Sequence, residues 1–184
     1  MAEHHSVCPW WMGYLLASPV RRLFSDPRIV APYVSEGMTV FEPGPGMGFF
    51  TLELARRVGP SGRVVVVDVQ PQMLDRLKRR LTKAGLRERV DVRLAPAHSM
   101  GMADLADTID FVFAFAVVHE FPSTRTFFVE AAECLKPGGR LLLAEPSSHV
   151  TEAAFEAELA EAARAGLHPV ERPAVRLSRA ALLH

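Results

Sequence analysis

From Met38 onward the apolar positions switch between two periods. Short apolar runs bounded by charged, Gly or Pro residues mark strands at 39–42, 63–69, 90–94, 109–115 and 140–145. The run Val64-Val65-Val66-Val67 is apolar at every position, so both of its faces must be covered. That pattern belongs to a parallel strand with helices on each side rather than to a half-solvated antiparallel one. Between the runs the spacing becomes helical. Phe50, Leu54, Ala55 and Val58 share one face, as do Met73, Leu74, Leu77 and Leu81, and Phe127, Phe128, Ala131 and Leu135. Lys136-Pro137-Gly138-Gly139 ends the third helix and turns the chain into the fifth strand.

After Glu145 the order changes. A helix is predicted over 151–165, with Phe155, Leu159, Ala162 and Ala163 on one side. Two strand patterns follow at 168–175 and 179–184, with no room for a helix between them, so they must form a hairpin. A mostly parallel α/β sheet that closes with an antiparallel pair is the implied architecture. Ahead of the sheet, Ser18-Pro19 and Asp26-Pro27 each set a capping residue before a proline, which favours helix starts. Two or three short helices are expected between Pro9 and Ser35. They carry Trp10, Trp11, Tyr14, Leu15, Leu16, Leu23, Phe24, Ile29 and Val30, too much apolar bulk for a solvated tail.

Composition narrows the partners. The 184 residues carry 21 basic and 21 acidic groups, a net charge of zero. No basic excess is available for a general phosphate-backbone footprint, so nucleic acid is not the expected partner. The two cysteines, Cys8 and Cys134, are far apart, which suits a reducing compartment and offers no Cys-rich metal framework. Phe111 to Val118, the longest purely apolar run, is far short of the roughly 20 residues of a membrane span. Met1-Ala2-Glu3-His4-His5 has neither the basic nor the apolar part of a secretory leader. A cytoplasmic location without membrane contact is expected, and the pattern is silent on oligomeric state.

The chemistry concentrates at Thr39-Val40-Phe41-Glu42-Pro43-Gly44-Pro45-Gly46-Met47-Gly48. An apolar strand ends in an acid, and three glycines at alternate positions lead into a helix. Gly44 lets the chain reverse, while Gly46 and Gly48 remove side chains that would stand between backbone and ligand. The following helix offers unpaired N–H groups at its positive end. A dinucleotide fingerprint would place its third glycine after two intervening residues, where Phe49 stands here. That spacing weakens the pyrophosphate reading, and with it a nicotinamide-dependent oxidoreductase, without removing it. Glu42 suits the ammonium and sulfonium of S-adenosylmethionine instead. Asp68 closes the second strand twenty-four residues after Gly44, near the spacing expected of a ribose-binding acid.

Phe41-Glu42-Pro43-Gly44-Pro45-Gly46-Met47-Gly48, Val67-Asp68, Ile109-Asp110-Phe111-Val112 and Leu135-Lys136-Pro137-Gly138-Gly139-Arg140-Leu141 together resemble the ordered motifs of class I S-adenosylmethionine-dependent methyltransferases. The small-molecule, quinone-biosynthesis-like branch is most similar, and the likeness covers 38–184. It implies a Rossmann-like, seven-stranded, mostly parallel sheet with an antiparallel last strand and helices on both faces. It implies an amino-terminal helical lid at 1–37 on a methyltransferase domain at 38–184. It further implies that Glu42, Gly44, Pro45, Gly46, Gly48 and Asp68 bind the cofactor, with Val69, Gln70 and Met73 beside its ribose and adenine. Where the family often sets an acid after the third strand, this chain has Ala97-His98. A neutral His98 nitrogen or the backbone of that loop would accept the adenine amino group.

The same resemblance places Ala114 and Phe115 at the cofactor's methionine end and turns His119 toward the substrate. Ligands in open α/β sheets sit beyond the carboxyl ends of the strands, where 114–120 falls. His119 could deprotonate a hydroxyl, thiol or amine nucleophile near neutral pH, or it could serve only to hold its loop. Glu145 follows the fifth strand toward the same face and would orient His119, bind a polar substrate group or simply hold its loop. Trp11 and Tyr14 would flank a small-molecule methyl acceptor if the lid closes over it. His4, His5, Cys8, His119 and His149 do not have zinc-type spacing, so no metal is expected. The expected reaction is in-line methyl transfer to a small-molecule nucleophile. A non-catalytic S-adenosylmethionine-binding protein is the further alternative, because no decisive catalytic motif follows the fourth strand.

Overall fold

The computed structural model describes residues 26–96 and 99–184. Trp11, Tyr14, Ala97 and His98 lie outside the described residues, as does most of the expected lid. Seven strands form one sheet in the order β3-β2-β1-β4-β5-β7-β6. They are β1 (Thr39–Pro43), β2 (Arg63–Asp68), β3 (Val90–Leu94), β4 (Ile109–Phe115), β5 (Leu135–Pro146), β6 (Pro169–Glu171) and β7 (Ser178–Leu183). All neighbouring pairs from β3 to β5 are parallel, and β7 runs antiparallel to both β5 and β6.

Among the described residues four α-helices supply the two outer layers: α1 (Thr51–Arg57), α2 (Pro71–Lys83), α3 (Thr124–Cys134) and α4 (Glu152–Arg164). Their starts follow from local chemistry. Pro71 opens α2 with its φ already helical, while the hydroxyls of Ser123 and Thr151 accept backbone N–H groups at the first turns of α3 and α4. Strand alternation then sorts the core into two clusters. Val65, Val67, Val112, Ala114, Leu141 and Leu143 face α3 and α4. Val64, Val66, Phe111, Phe113 and Leu142 face α1 and α2. The all-valine β2 therefore feeds both layers, as a doubly covered strand must.

Three boundaries differ from the hydrophobic pattern. β5 begins at Leu135, which pairs with Ile109 before the chain detours through Lys136–Gly139 and rejoins the ladder at Phe111–Arg140. The Pro-Gly-Gly segment is thus an excursion within a strand, not the end of a helix. β6 covers three residues instead of the expected eight because its register slips between Pro169 and Glu171 and Pro173 has no N–H to donate. Before the sheet, Asp26 caps Pro27–Val30 as a single 3-10 turn rather than an α-helix. Val30, Tyr33 and Val34 of this region are core residues, and the Tyr33 ring stacks on Phe111 at 5.7 Å.

The turn from β1 into α1 is packed from below. Gly48 has φ +80°, and a Cβ on it would stand 2.3 Å from Leu77 Cδ1 of α2. Overpacking costs about 1–3 kcal/mol and the left-handed conformation about 1–2 kcal/mol for a residue with a Cβ. Gly48→Ala is expected to lose at least about 2 kcal/mol of stability on those two counts. Urea unfolding followed by circular dichroism checks this, and an unchanged midpoint would show that α2 gives way freely.

Candidate active site

The strand order reverses direction between β1 and β4, where the chain leaves β1 toward one face and β4 toward the other. That is the topological switch point, at whose carboxyl end open α/β sheets form their clefts. Two turns meet there. Gly44, with φ +63°, ends β1 and donates its N–H to Val67 at 2.8 Å. A Cβ at position 44 would lie 2.6 Å from Val117 Cγ2, so the turn after β4 rests on the glycine itself. Gly46, also left-handed at φ +54°, has nothing within 4 Å of where its Cβ would be. The middle of the turn therefore exposes bare backbone to open space. Pro45 and Gly48 close the turn through a 2.9 Å bond from the Gly48 N–H to the Pro45 carbonyl, and Arg80 of α2 donates to the Met47 carbonyl.

Acids stand around this turn. Glu42 is 3% exposed, and its Oε2 accepts from the Thr51 hydroxyl at 2.6 Å, tying the end of β1 to the first residue of α1. Asp68, at the end of the neighbouring β2, accepts from the Gln70 N–H at 2.9 Å, with the backbone of Gly46 and Val69 also bonding its carboxylate. Burial outweighs these bonds and pushes its pKa up to about 6. Beyond it Val69 is exposed, Gln70 half-buried and Met73 buried.

Ala114 and Phe115 end β4. Ala114 is buried, and the Phe115 ring packs against Phe50 and Phe113 at 4.6 and 6.0 Å. Ala116 then takes φ +54°, a strained conformation for a residue with a Cβ, and its N–H donates to the Ala144 carbonyl at 2.8 Å. The kink delivers Val118–Glu120, a short 3-10 turn, onto the end of β5.

Glu145 organises that turn. Its side chain has no exposed surface. Oε1 accepts from the Val118 N–H at 2.8 Å and Oε2 from His119 Nδ1 at 2.5 Å. Because the carboxylate accepts, Nδ1 carries the proton and Nε2 of neutral His119 keeps its lone pair. The Glu145 hydrogen bond raises the His119 pKa above its ordinary value against the opposing effect of burial, with smaller contributions from the charges of Glu145, Glu120 and Glu158. The His149 ring lies 5.7 Å from the His119 ring. Glu145 thus meets His119 rather than open cleft. Among the described residues no group of three or more His, Cys, Asp or Glu is arranged to hold a metal ion. None of their helices is long and apolar enough to cross a membrane.

The switch point therefore gathers Glu42, Gly44, Pro45, Gly46, Gly48, Asp68, Ala114, Phe115, His119 and Glu145 from four separate stretches of chain. Thr51, Ala116, Val117 and Glu158 belong to the same neighbourhood without having been marked by motif. Thr51 carries a signal of its own, a hydroxyl at a helix start, whereas the Ala116 kink has none.

A methyltransferase-domain family matches residues 34–171. The chain belongs to the class I S-adenosylmethionine-dependent methyltransferases. It is 31% identical over 160 residues to the ubiquinone/menaquinone biosynthesis C-methyltransferase UbiE of Pseudomonas paraeruginosa, covering 83% of this chain and 61% of that protein. It is 30% identical over 112 residues to an arsenite methyltransferase of Halobacterium salinarum, covering 61% of this chain and 28% of that protein. The chain thus spans less than two thirds of the length of these curated relatives. A SAM-dependent methyltransferase structure from Aquifex aeolicus aligns with TM-score 0.84 and 25% identity over 97% of this chain and all of the other.

The Glu145–His119 bond can be broken selectively. Glu145→Gln keeps an acceptor for the Val118 N–H but removes the charge that favours the imidazolium. The His119 pKa should fall below its wild-type value, since burial then acts on it without opposition from that carboxylate. Ring-nitrogen NMR across pH 5–9 reads the shift, and an unchanged titration would remove Glu145 as its cause.

Proposed function

We propose that this chain transfers a methyl group from S-adenosylmethionine to a small-molecule nucleophile in the cleft where the turns after β1 and β4 meet. The observation that carries the reading is the seating of Val117 on Gly44, which puts the open space beside the half-buried Gly46 and the His119 turn on one cleft. The residues fit the cofactor. Gly46 leaves room for close backbone approach, Asp68 is a desolvated acceptor beside it, and Glu42 holds acidic character beneath.

In this reading the Asp68 carboxylate accepts the two ribose hydroxyls, with Val69, Gln70 and Met73 along the ribose and adenine. Gly44, Pro45, Gly46 and Gly48 present backbone to the amino-acid part, and Ala114 and Phe115 bound it from β4. The bound cofactor supplies a methyl group already activated on a sulfonium. What the chain must add is alignment and exclusion of water, which can contribute about 7–11 kcal/mol. His119 Nε2 takes the proton of the acceptor, and Glu145 stabilises the resulting imidazolium through Nδ1. A small acceptor is favoured by the zero net charge and by the two relatives, one an arsenite methyltransferase and the other a ubiquinone/menaquinone biosynthesis C-methyltransferase.

Two outcomes test this. S-adenosylhomocysteine affinity, measured by calorimetry, should fall as pH drops below about 6, by up to about tenfold per pH unit, as Asp68 takes a proton and stops accepting. The sign follows from the carboxylate being the binding form. Asp68→Asn should bind weakly at every pH, and a flat wild-type profile with a strong Asp68→Asn variant would overturn the ribose assignment. Separately, a labelled-cofactor turnover screen against hydroxyl, thiol, amine and activated-carbon metabolites should find an acceptor. With it, His119→Ala should lose about 10²–10⁴-fold in kcat while retaining cofactor affinity. Undiminished turnover would remove His119 as the base.

A further inference from the structure

A single stretch of chain holds the glycine turn at several points. It begins at Asp68, whose carboxylate takes the Gly46 N–H, and continues through Gln70 into α2. Within α2, Leu77 lies beneath Gly48, where a Cβ would stand 2.3 Å from the leucine Cδ1. One helical turn further on, Arg80 donates from Nη1 to the Met47 carbonyl. The scheme above gives that last contact no task. Arg80 is half-buried while its neighbour Arg79 is exposed, and loss of hydration lowers the Arg80 pKa from its ordinary value. The guanidinium is drawn out of water at a cost and set on a main-chain carbonyl.

What it holds follows from peptide geometry. Met47 and Gly48 share one planar trans peptide, whose carbonyl and N–H point to opposite sides. Arg80 donates to the carbonyl, and the Gly48 N–H donates to the Pro45 carbonyl at 2.9 Å. Both sides of that plane are therefore pinned. Glycine supplies the positive φ at 46 and 48, but the same freedom leaves both positions able to move. A Gly-Met-Gly turn keeps one conformation only if groups outside it restrain it. Arg80 is such a group, and its charge makes the hydrogen bond a strong one.

We propose that Arg80 is a positioning residue for the cofactor, fixing the Met47–Gly48 peptide so that the turn meets the amino-acid part of S-adenosylmethionine with its backbone already formed. This rests on the reading above, in which the turn takes the amino-acid part and Asp68 the ribose. Arg80 touches no reacting atom and acts only through the turn. The consequence is a division of labour along 68–80. The Asp68 end grips the nucleoside, and the Arg80 end stiffens the backbone that receives the amino acid. Without Arg80 the nucleoside contacts stay in place, but the turn must order itself at the moment of binding, which costs affinity. Arginine suits the task better than lysine because its planar fork loses less freedom per hydrogen bond formed.

Two ligands separate this role from a general weakening of the fold. S-adenosylhomocysteine carries the amino-acid part, whereas 5′-methylthioadenosine carries the nucleoside and the sulfur without it. By calorimetry, Arg80→Met should bind S-adenosylhomocysteine about tenfold more weakly than the wild type and 5′-methylthioadenosine equally well. Arg80→Lys, which keeps a charged donor, should recover part of the loss. Equal losses for both ligands, or no loss for either, would overturn the proposal. The wild type offers a check that needs no variant to fold: nitrogen NMR of the ligand-free protein should show the Arg80 guanidinium protons held against solvent exchange. Free exchange there would overturn the proposal as well. A wild type that binds the two ligands equally would remove the reading of the turn, and this inference with it. A wild type that prefers S-adenosylhomocysteine, with an Arg80→Met variant that keeps the same preference, would remove the Arg80 assignment alone.

Discussion

The contact of Val117 with Gly44 is the constraint on which the rest of the site depends. A Cβ at 44 would stand inside the Val117 side chain, so the end of β1 must be bare for the turn after β4 to close on it. Everything that gives the cleft its chemistry is hung from one or other of these two turns. The β1 side carries Gly46 and, through Thr51, the buried Glu42. The β4 side carries Ala116 in a strained conformation and then the Val118–Glu120 turn. Strain at Ala116 costs about 1–3 kcal/mol and persists because the surrounding structure over-determines it: its N–H is taken by Ala144, and the next residues are held by Val117 packing and Glu145. Parallel pairing of β1 with β4 sets the two turns side by side.

Buried acids are the second theme, and each is handled differently. Glu42 is tied to a hydroxyl, Asp68 to backbone N–H groups, Glu145 to an N–H and an imidazole, and Glu158 to no described donor on Oε2. A buried carboxylate needs donors to stay ionised, and these four are supplied with them unequally. The pKa of Asp68 near 6 shows that even several backbone bonds do not fully offset desolvation in this cleft. A ligand that brings hydroxyl donors and positive charge would suit these acids. The fold thus presents acids whose preferred partners are cationic or hydroxylic, as expected of a site shaped for a sulfonium nucleoside.

Much of this was legible in the chain. The succession of strands and helices, two covered faces and the closing hairpin follow from periods and from the absence of room for a helix between 175 and 179. The Gly44-Pro45-Gly46-Met47-Gly48 turn and Asp68 were readable because close backbone approach leaves glycine as its trace and a strand-ending acid is conspicuous. The partnership of Glu145 with His119 was one of several readings because the residues are 26 apart and their meeting depends on the β4–β5 register, with its irregularity between Ile109 and Phe111. That same irregularity hid the start of β5, since a Pro-Gly-Gly segment looks alike whether it ends a helix or detours from a ladder. Ala116 left no trace, because nothing in an alanine announces a positive φ. Glu158 did leave one: an acid on an apolar stripe is a conflict between local pattern and burial, and such conflicts tend to mark function.

The two themes converge on why a base could be useful in a reaction whose methyl donor is already activated. Alignment accounts for the larger part of the acceleration, so the base matters in proportion to how tightly the nucleophile holds its proton. A thiol, partly ionised near neutral pH, would need His119 little, whereas an alcohol would need it throughout the transfer. The investment visible here is considerable: a fully buried Glu145 and a strained Ala116 that delivers the His119 turn to it. An arrangement that strains Ala116 and buries Glu145 to orient one imidazole argues for an acceptor whose proton must be taken, and against one that arrives already ionised.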